Sequence, residues 1–91
     1  SNVTKIGDMA FTGCRSLKNI DIPSSVTTID NWAFAHCSSL DSIKIPSSVT
    51  KIGYFAFGGC ENLNVIIDNS KDNIKIGGAA FFNCKSVTFT K

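Results

Sequence analysis

The sequence has few charged residues and no long apolar run, and both shortages narrow what the chain can be. Charged residues make up 18% of the 91 residues, and nine basic against seven acidic residues leave a net charge of +2. The basic residues are scattered singly, without the cluster that nucleic-acid binding requires. No stretch approaches the roughly 18 apolar residues of a membrane span, and no signal-peptide pattern opens the chain. We therefore expect neither a nucleic-acid partner nor a membrane span.

Groups that carry catalysis or bind metals are also scarce. His36 is the only histidine, and the four cysteines form no C-x-x-C or cysteine–histidine cluster. The sequence has no glycine-rich phosphate loop, no recurring carboxylate pair and no usable set of serine, histidine and aspartate. These shortages predict a chain that is not an enzyme and that needs neither a metal nor a cofactor.

What the sequence does have is a repeat of 23 residues. The stretch IDIPSSVTTIDNWAFAHC aligns without a gap with IKIPSSVTKIGYFAFGGC. Four columns recur through the chain: Ile6, Ile29, Ile52 and Ile76; Ala10, Ala33, Ala56 and Ala80; Phe11, Phe34, Phe57 and Phe81; Cys14, Cys37, Cys60 and Cys84. A unit this short cannot bury its own apolar residues, but stacked units bury each other's, so the repeat predicts a solenoid.

Each unit predicts two short strands and one tight turn. Apolar residues alternate after each cysteine, which predicts a parallel strand that Pro23 and Pro46 end. These residues are Leu17, Ile20 and Ile22; Leu40, Ile43 and Ile45; Leu63, Ile66 and Ile67; and Val87. A β-branched Val-x-x-Ile segment predicts a second strand, and the glycine or aspartate after it suits the N-cap of a helical turn. The predicted fold is an α/β solenoid, a leucine-rich repeat with about four 23-residue coils, short parallel strands in two sheets and a short helical or 3-10 turn per coil.

The unit I-P-S-S-V-T-x-I-x-x-x-A-F-x-x-C-x-x-L-x-x-I-x-I resembles the BspA-type leucine-rich repeat over nearly the whole chain. The proline after the strand, the Ala-Phe pair and the cysteine three residues before the leucine carry the resemblance. Proteins of this family are typically long, secreted or surface-anchored products of bacteria and some protists, and several are associated with adhesion to host proteins. The resemblance therefore implies an extracellular or cell-surface location and a host extracellular protein as a partner.

The last unit and the two ends depart from the regular pattern. Six polar residues, 68–73, replace the Pro-Ser-Ser turn and add one residue, which predicts a bulging polar loop. Neither end has the polar cap that solenoids need for solubility. We expect residues 1–91 to form one leucine-rich-repeat domain, either a fragment of a longer array or a chain that self-associates through its strand edges.

The cysteine and histidine columns have structural interpretations. Free, buried cysteines are favoured over disulfides between adjacent coils, because equivalent Cβ bonds point in parallel even though a spacing of about 4.8 Å would suit a bridge. His36 shares its column with Gly13, Gly59 and Asn83, which are residue types that tolerate a positive φ. We therefore expect His36 to be a turn residue just before the inward cysteine.

The column of Trp32 also contains Phe55 and leaves two interpretations open. Trp32, Phe55 and the neighbouring Tyr54 could form an exposed aromatic patch that holds a sugar or a partner. Alternatively these rings pack against neighbouring coils, and this interpretation is favoured because aromatic side chains most often serve burial.

Strand alternation predicts which residues face a ligand. If the isoleucines at 20, 22, 43, 45 and 66 point inward, six residues point out onto the concave sheet: Asn19, Asp21, Ser42, Lys44, Val65 and Ile67. The ligand would dock around Lys44, Val65 and Ile67, since the last two form an exposed apolar pair. The alternative is that the irregular third unit turns Ile67 inward, because a one-residue slip reverses every side chain.

Two functions of different class fit these features. The first is a non-catalytic surface module that binds a protein or a glycan, with adhesion to host proteins as one such role. The second is a structural spacer, a segment of a stalk with no ligand of its own. The apolar pair on the third strand favours binding.

Overall fold

The computed structural model describes residues 3–91, which contain seven short strands. The strands are β1 (Lys5–Ile6), β2 (Thr28–Ile29), β3 (Ser42–Ile45), β4 (Lys51–Ile52), β5 (Asn64–Ile67), β6 (Lys75–Ile76) and β7 (Ser86–Phe89). One parallel sheet has the order β1-β2-β4-β6, and the other has the order β3-β5-β7. In the first coil a single bridge from Asn19 to Ser42 takes the place of a strand in the second sheet. The chain winds as a parallel solenoid of about four coils, as predicted.

The turns between the two sheets are not helical. The helix of residues 3–91 is one 3-10 turn at Lys71–Asn73, and no helix in that range is long and apolar enough to cross a membrane. Two residues of each coil, four positions apart, have a positive φ: Met9 and Gly13, Trp32 and His36, Phe55 and Gly59, and Ala79 and Asn83. Left-handed residues at this spacing end a right-handed helix, so the α/β part of the predicted fold is not confirmed. The prediction for His36 is confirmed by its φ of 60°.

Backbone hydrogen bonds between turns join each coil to the next. At every junction three N–H groups of one coil donate to three carbonyls of the following coil, over distances of 2.7 to 3.1 Å. The donors of the first junction are Met9, Phe11 and Gly13, and the acceptors are Asn31, Ala33 and Ala35. The later junctions use Trp32, Phe34 and His36 with Tyr54, Ala56 and Gly58, then Phe55, Phe57 and Gly59 with Gly78, Ala80 and Phe82. The same junction is therefore built three times.

The core consists of the repeat columns. The rings of Phe34 and Phe57 are fully buried and stack with centroids 5.1 Å apart. Phe11 stacks on Phe34 at 5.1 Å and Phe81 stacks on Phe57 at 5.7 Å, which makes one continuous column of four rings. The column buries its two central rings completely and leaves its two end rings half-buried.

The cysteines form a second core column beside the rings. All four are free, with Cys37 and Cys60 buried and Cys14 and Cys84 half-buried. The thiol of Cys60 donates a hydrogen bond of 3.0 Å to the carbonyl oxygen of Phe34, and the same contact recurs for Cys37 and Cys84. Burial raises the pKa of the Cys60 thiol to about 12 and that of Cys84 to about 11. The predicted burial is thus confirmed for the two central cysteines.

The strand β5, which the third coil contributes to the second sheet, does not follow the alignment that the sequence suggested. Ile43 pairs with Val65 and Ile45 pairs with Ile67. Leu40 precedes Ile43 by three positions, whereas Leu63 precedes Val65 by two, so the third coil has one residue fewer here than the second. Val65 and Ile67 therefore point inward and are fully buried, whereas Ile66 is 38% exposed. The prediction that Val65 and Ile67 face outward is wrong, because the missing residue reverses every side chain of the strand.

The polar loop after β5 compensates for the missing residue. Ile67 and Ile76 lie nine positions apart, whereas Ile45 and Ile52 lie seven apart, so the loop carries two extra residues and not one. The Ser70 hydroxyl caps the 3-10 helix by accepting the N–H of Asp72 at 3.2 Å. One residue is lost before β5 and two are gained after it. The sequence alignment shows only the sum of these changes, which is the single added residue.

The fourth coil has no leucine position. Val87, which the sequence placed in the leucine column, pairs with Val65 and so lies in the column of Ile43. The backbone N–H groups of both Lys85 and Ser86 donate to the carbonyl of Leu63, which closes the shortened segment against the third coil. The fourth coil therefore has fewer residues between Cys84 and β7 than the third coil has between Cys60 and β5.

Candidate functional site

Five ring-bearing side chains cluster on the turn surface of the second, third and fourth coils. Phe55 lies at the centre, and its ring contacts all four others at centroid distances of 4.4 to 6.1 Å. The four surrounding residues are Trp32, His36, Tyr54 and Phe82. We call these five residues the aromatic face.

The aromatic face is partly packed and partly exposed. Trp32 and Phe55 are half-buried, with their ring centroids 4.4 Å apart. Tyr54 and Phe82 are 50% and 53% exposed. The interpretation that the rings pack against neighbouring coils therefore holds for Trp32 and Phe55. The interpretation that they form an exposed patch holds for Tyr54. The sequence interpretation missed Phe82, because its equivalents in the other coils are small residues and only its proximity to Phe55 brings it into the cluster.

Glycines beneath the rings allow them to lie against the backbone. A Cβ atom at Gly58 would collide with the ring of Phe55, and one at Gly59 would lie 2.5 Å from Nδ1 of His36. Trp32 and Phe55 have φ values of 61° and 56°, which bulky residues rarely adopt. Met9 and Ala79 share this conformation at the same position of their coils. The strain therefore belongs to the repeated turn and not to a ligand site.

The aromatic face carries no formal charge. The segments 31–36, 54–59 and 78–83 contain no lysine, arginine, aspartate or glutamate. Its polar edge is uncharged: the side-chain oxygen of Asn31 accepts the N–H of Tyr54 at 2.8 Å, and the Thr12 hydroxyl donates to the carbonyl of Trp32. Such a surface offers no ion pairs, and it suits the apolar faces of neutral sugars or uncharged side chains.

The site predicted from the sequence lies on a different surface, the outward side of the β3-β5-β7 sheet. Four of the six predicted residues are exposed there, and they are Asn19, Asp21, Ser42 and Lys44. The other two, Val65 and Ile67, are buried beneath it. Lys44 pairs with Ile66, so Ile66 is the apolar side chain that β5 presents on this surface. We call Asn19, Asp21, Ser42, Lys44 and Ile66 the strand face.

Two pairs of polar side chains near the strand face are hydrogen-bonded to each other. The Ser86 hydroxyl donates to the side-chain oxygen of Asn64 at 2.7 Å, and the Thr90 hydroxyl donates to the Asp68 carboxylate at 2.9 Å. The hydrogen bond from Thr90 and the nearby charge of Lys91 lower the pKa of Asp68. These contacts link neighbouring coils and leave fewer polar groups for a ligand.

His36 lies in the aromatic face and not among groups that would activate it. Its ring is 5.7 Å from Phe55 and 6.3 Å from Trp32, measured between centroids. No group of three or more histidine, cysteine, aspartate or glutamate side chains within residues 3–91 is arranged to hold a metal ion. The chemistry that these side chains offer is ring contact and hydrogen bonding.

A comparison with family models agrees with the repeat geometry. The model of the BspA type leucine rich repeat region (6 copies) matches residues 1–91. Neither a curated protein nor a solved structure shows significant similarity to the chain. The family is not known as enzymatic and is typically surface-associated, and leucine-rich repeats commonly mediate protein interactions. The chain therefore belongs to the BspA-type leucine-rich repeats and is a repeat module of that kind.

Proposed function

We propose that this chain is a non-catalytic binding module whose aromatic face contacts a protein or glycan ligand. The observation that carries the proposal is the exposure of Tyr54 and Phe82, at 50% and 53%, with both rings in contact with Phe55. Neighbouring aromatic rings left open to solvent are typical of binding surfaces, where such residues supply most of the binding energy. A stalk segment without a ligand does not need them.

The aromatic face is also held rigidly. The N–H of Trp32 donates to the carbonyl of Tyr54 at 3.0 Å, and the N–H of Phe55 donates to the carbonyl of Gly78 at 3.1 Å. These bonds belong to the coil junctions, so the backbone that carries the rings is hydrogen-bonded to the next coil. A surface that is ordered before binding loses little conformational entropy on binding, which favours affinity.

The strand face supports a second candidate. Ile66 is 38% exposed beside Lys44, and Asp21 adds a charge of opposite sign, so this surface suits a peptide with mixed polar and apolar side chains. The hydrogen bonds between its neighbouring polar side chains favour a structural spacer instead. We place the ligand on the aromatic face because its exposed rings are larger and contiguous. The surface association typical of the family supports a location at the cell surface and a role in adhesion.

The proposal is tested by binding the purified chain to two printed arrays, one of extracellular-matrix proteins and one of neutral oligosaccharides. The test variant is Tyr54→Ser with Phe82→Ser, and the matched control is Lys44→Ser with Ile66→Thr on the strand face. Loss of two aromatic contacts should weaken binding at least about 30-fold, while the control binds like the wild type.

Both variants are checked by circular dichroism and thermal unfolding, so that a loss of binding is not a loss of folding. Binding that the strand-face pair abolishes and the aromatic pair leaves intact would assign the ligand to the strand face. A chain that binds nothing on either array would contradict the binding module and support the spacer.

A further inference from the structure

The β1-β2-β4-β6 sheet has a column of lysines on its outward side. Its outward residues, each paired in register with the next, are Lys5, Thr28, Lys51 and Lys75. The basic residues are scattered in the sequence, but equivalent positions of neighbouring coils pair, so the sheet gathers three of them in one column. Lys51 and Lys75 are exposed and lie directly beside each other in neighbouring strands.

The negative charges near this column are concentrated at Lys5. Asp30 forms an ion pair of 3.0 Å with Lys5, and Asp8 adds a further negative charge nearby. Lys51 has a coil on either side, yet neither ion pair within residues 3–91 includes it. Its partner in the next strand is Lys75, and like charges directly opposite each other in a sheet are unfavourable. The charge of these two lysines is therefore not neutralised by a carboxylate of the described chain.

The packing of the coils explains why Lys51 has no such partner. Asp30, which bonds Lys5, belongs to the coil that follows Lys5. The equivalent residue in the coil that follows Lys51 is Gly77. A Cβ atom at Gly77 would lie 2.6 Å from the backbone nitrogen of Tyr54, so a side chain there would collide with the backbone. The position that neutralises Lys5 thus cannot carry a carboxylate for Lys51, which is left open to an external anion.

The outward side of this sheet is polar throughout. Its outward strand residues are three lysines and one threonine, and Thr27 and Thr50 precede two of them. The hydroxyls of Thr27 and Thr50 donate to carbonyls of the preceding coil, so they are not free to donate to a ligand. Binding between proteins usually relies on a buried apolar centre, which these residues do not provide. The surface therefore suits a ligand that is held by its negative charges, such as a sulfated sugar chain.

We propose that Lys51 and Lys75 bind a sulfated glycan, with the ammonium group of each lysine donating to sulfate oxygens. Neighbouring strands lie about 4.8 Å apart and lysine side chains are long and flexible, so both ammonium groups can reach one sulfate or two adjacent ones. Hydrogen bonds between ionised groups are stronger than neutral ones, and the anion removes the repulsion between the lysines. This site is distinct from the aromatic face, which contains no charged residue.

Calorimetric titration of the whole chain with a sulfated, heparin-derived octasaccharide tests the proposal at low and at high salt. Lys51→Gln with Lys75→Gln should weaken binding at least about 10-fold and make it less sensitive to salt, because fewer counterions are released. The matched control is Lys18→Gln with Lys85→Gln. It removes the same charge from exposed positions outside this sheet and should leave the affinity nearly unchanged.

Three changes at Thr28, the register partner of Lys51, test the charge argument by a different route. Thr28→Glu supplies a carboxylate within the sheet, so it should weaken binding of the octasaccharide while raising the midpoint of thermal unfolding. Thr28→Lys extends the lysine column and should have both opposite effects. Thr28→Gln is the neutral control and should leave binding unchanged. Binding that does not follow the charge at this position would overturn the proposal.

Two further ligands and one variant complete the experiment. The same octasaccharide without its sulfates should bind much more weakly, and equal binding of both forms, or no binding of the sulfated form at low salt, would overturn the proposal. A glutamate peptide of equal charge that binds as tightly would overturn the assignment to a sulfated glycan. Phe82→Ser, in the aromatic face, should leave this binding unchanged, while the lysine pair should not affect a ligand of the aromatic face. Either proposal can therefore fail without the other.

Discussion

The second and third coils differ from the first and fourth in how completely they bury equivalent side chains. Phe34 and Phe57 have no exposed surface, whereas Phe11 and Phe81 are half-buried. All four are phenylalanines at one position of the repeat, so residue type cannot explain the difference. The central rings are covered from both sides and the end rings from one. Stability in this molecule therefore depends on the number of junctions that a coil shares.

The largest expected effect is the loss of a central ring. Phe34→Ala or Phe57→Ala leaves a cavity between two coils and should lower the free energy of unfolding by about 3 to 5 kcal/mol. Phe11→Ala and Phe81→Ala should cost clearly less, because these rings are already partly in water. Urea unfolding of the four variants measures both values, and equal losses at all four positions would contradict the comparison.

A smaller effect is expected at two glycines that share one position. Gly13 and Gly59 both have a positive φ, but a Cβ at Gly13 would meet nothing within 4 Å, whereas at Gly59 it would meet the ring of His36. Gly13→Ala should cost about 1 to 2 kcal/mol for its backbone conformation alone.

Gly59→Ala should cost more than Gly13→Ala, because His36 must also move. The difference between the two free energies of unfolding isolates the contact with His36. If the two variants were equally stable, His36 would not be held against Gly59.

The buried thiols should make stability fall in alkaline solution. The ordinary thiol pKa is 9.0, and burial raises the pKa of Cys60 to about 12. Between these values the unfolded chain binds fewer protons than the folded one, so the free energy of unfolding decreases as pH rises. The contribution of this thiol is complete below pH 9 and is lost as pH rises toward 12.

Cys60→Ser should flatten this alkaline decrease, and the difference from the wild type cancels the titration of the lysines. Cys84→Ser should flatten the decrease over a narrower pH range, from 9 to about 11, because burial raises the pKa of Cys84 to about 11. Thermal unfolding at a series of pH values measures both variants. A decrease that is unchanged by Cys60→Ser would show that other groups cause it.

The smallest effect is kinetic and concerns thiol labelling in the native state. Cys14 and Cys84 are half-buried, so we expect them to react with a maleimide before Cys37 and Cys60, which need unfolding. Mass spectrometry of labelled peptides gives the order. Simultaneous labelling of all four thiols would show that the chain opens as one unit.

The repeat columns made most of the fold predictable. Spacing and residue type indicated the solenoid, the buried Cys60 and the turn role of His36, because equivalent positions keep the same place in the stacked coils. The helical turn could not be excluded, since Trp32 and Phe55 are not residue types that suggest a positive φ. Their conformation depends on hydrogen bonds to the next coil, and residue propensities, which describe local sequence, do not include such contacts.

The candidate site was less predictable than the fold. The sequence indicated Trp32, Tyr54 and Phe55 as one option, but it placed the ligand on Val65 and Ile67, which are buried. A strand has period two, so an error of one residue in the register exchanges its two faces. The pairing of Ile43 with Val65 decides that register, and it is a contact between coils.

The sequence by itself determined that stacked coils would bury the columns of isoleucine, alanine, phenylalanine and cysteine, because no single unit has enough apolar surface to fold alone. Only the tertiary structure decided which side of β5 meets solvent and which rings share a surface. Trp32, Phe55 and Phe82 lie in three different coils, and their contacts arise from stacking. Burial follows from composition repeated along the chain, whereas a surface made of several coils depends on their register.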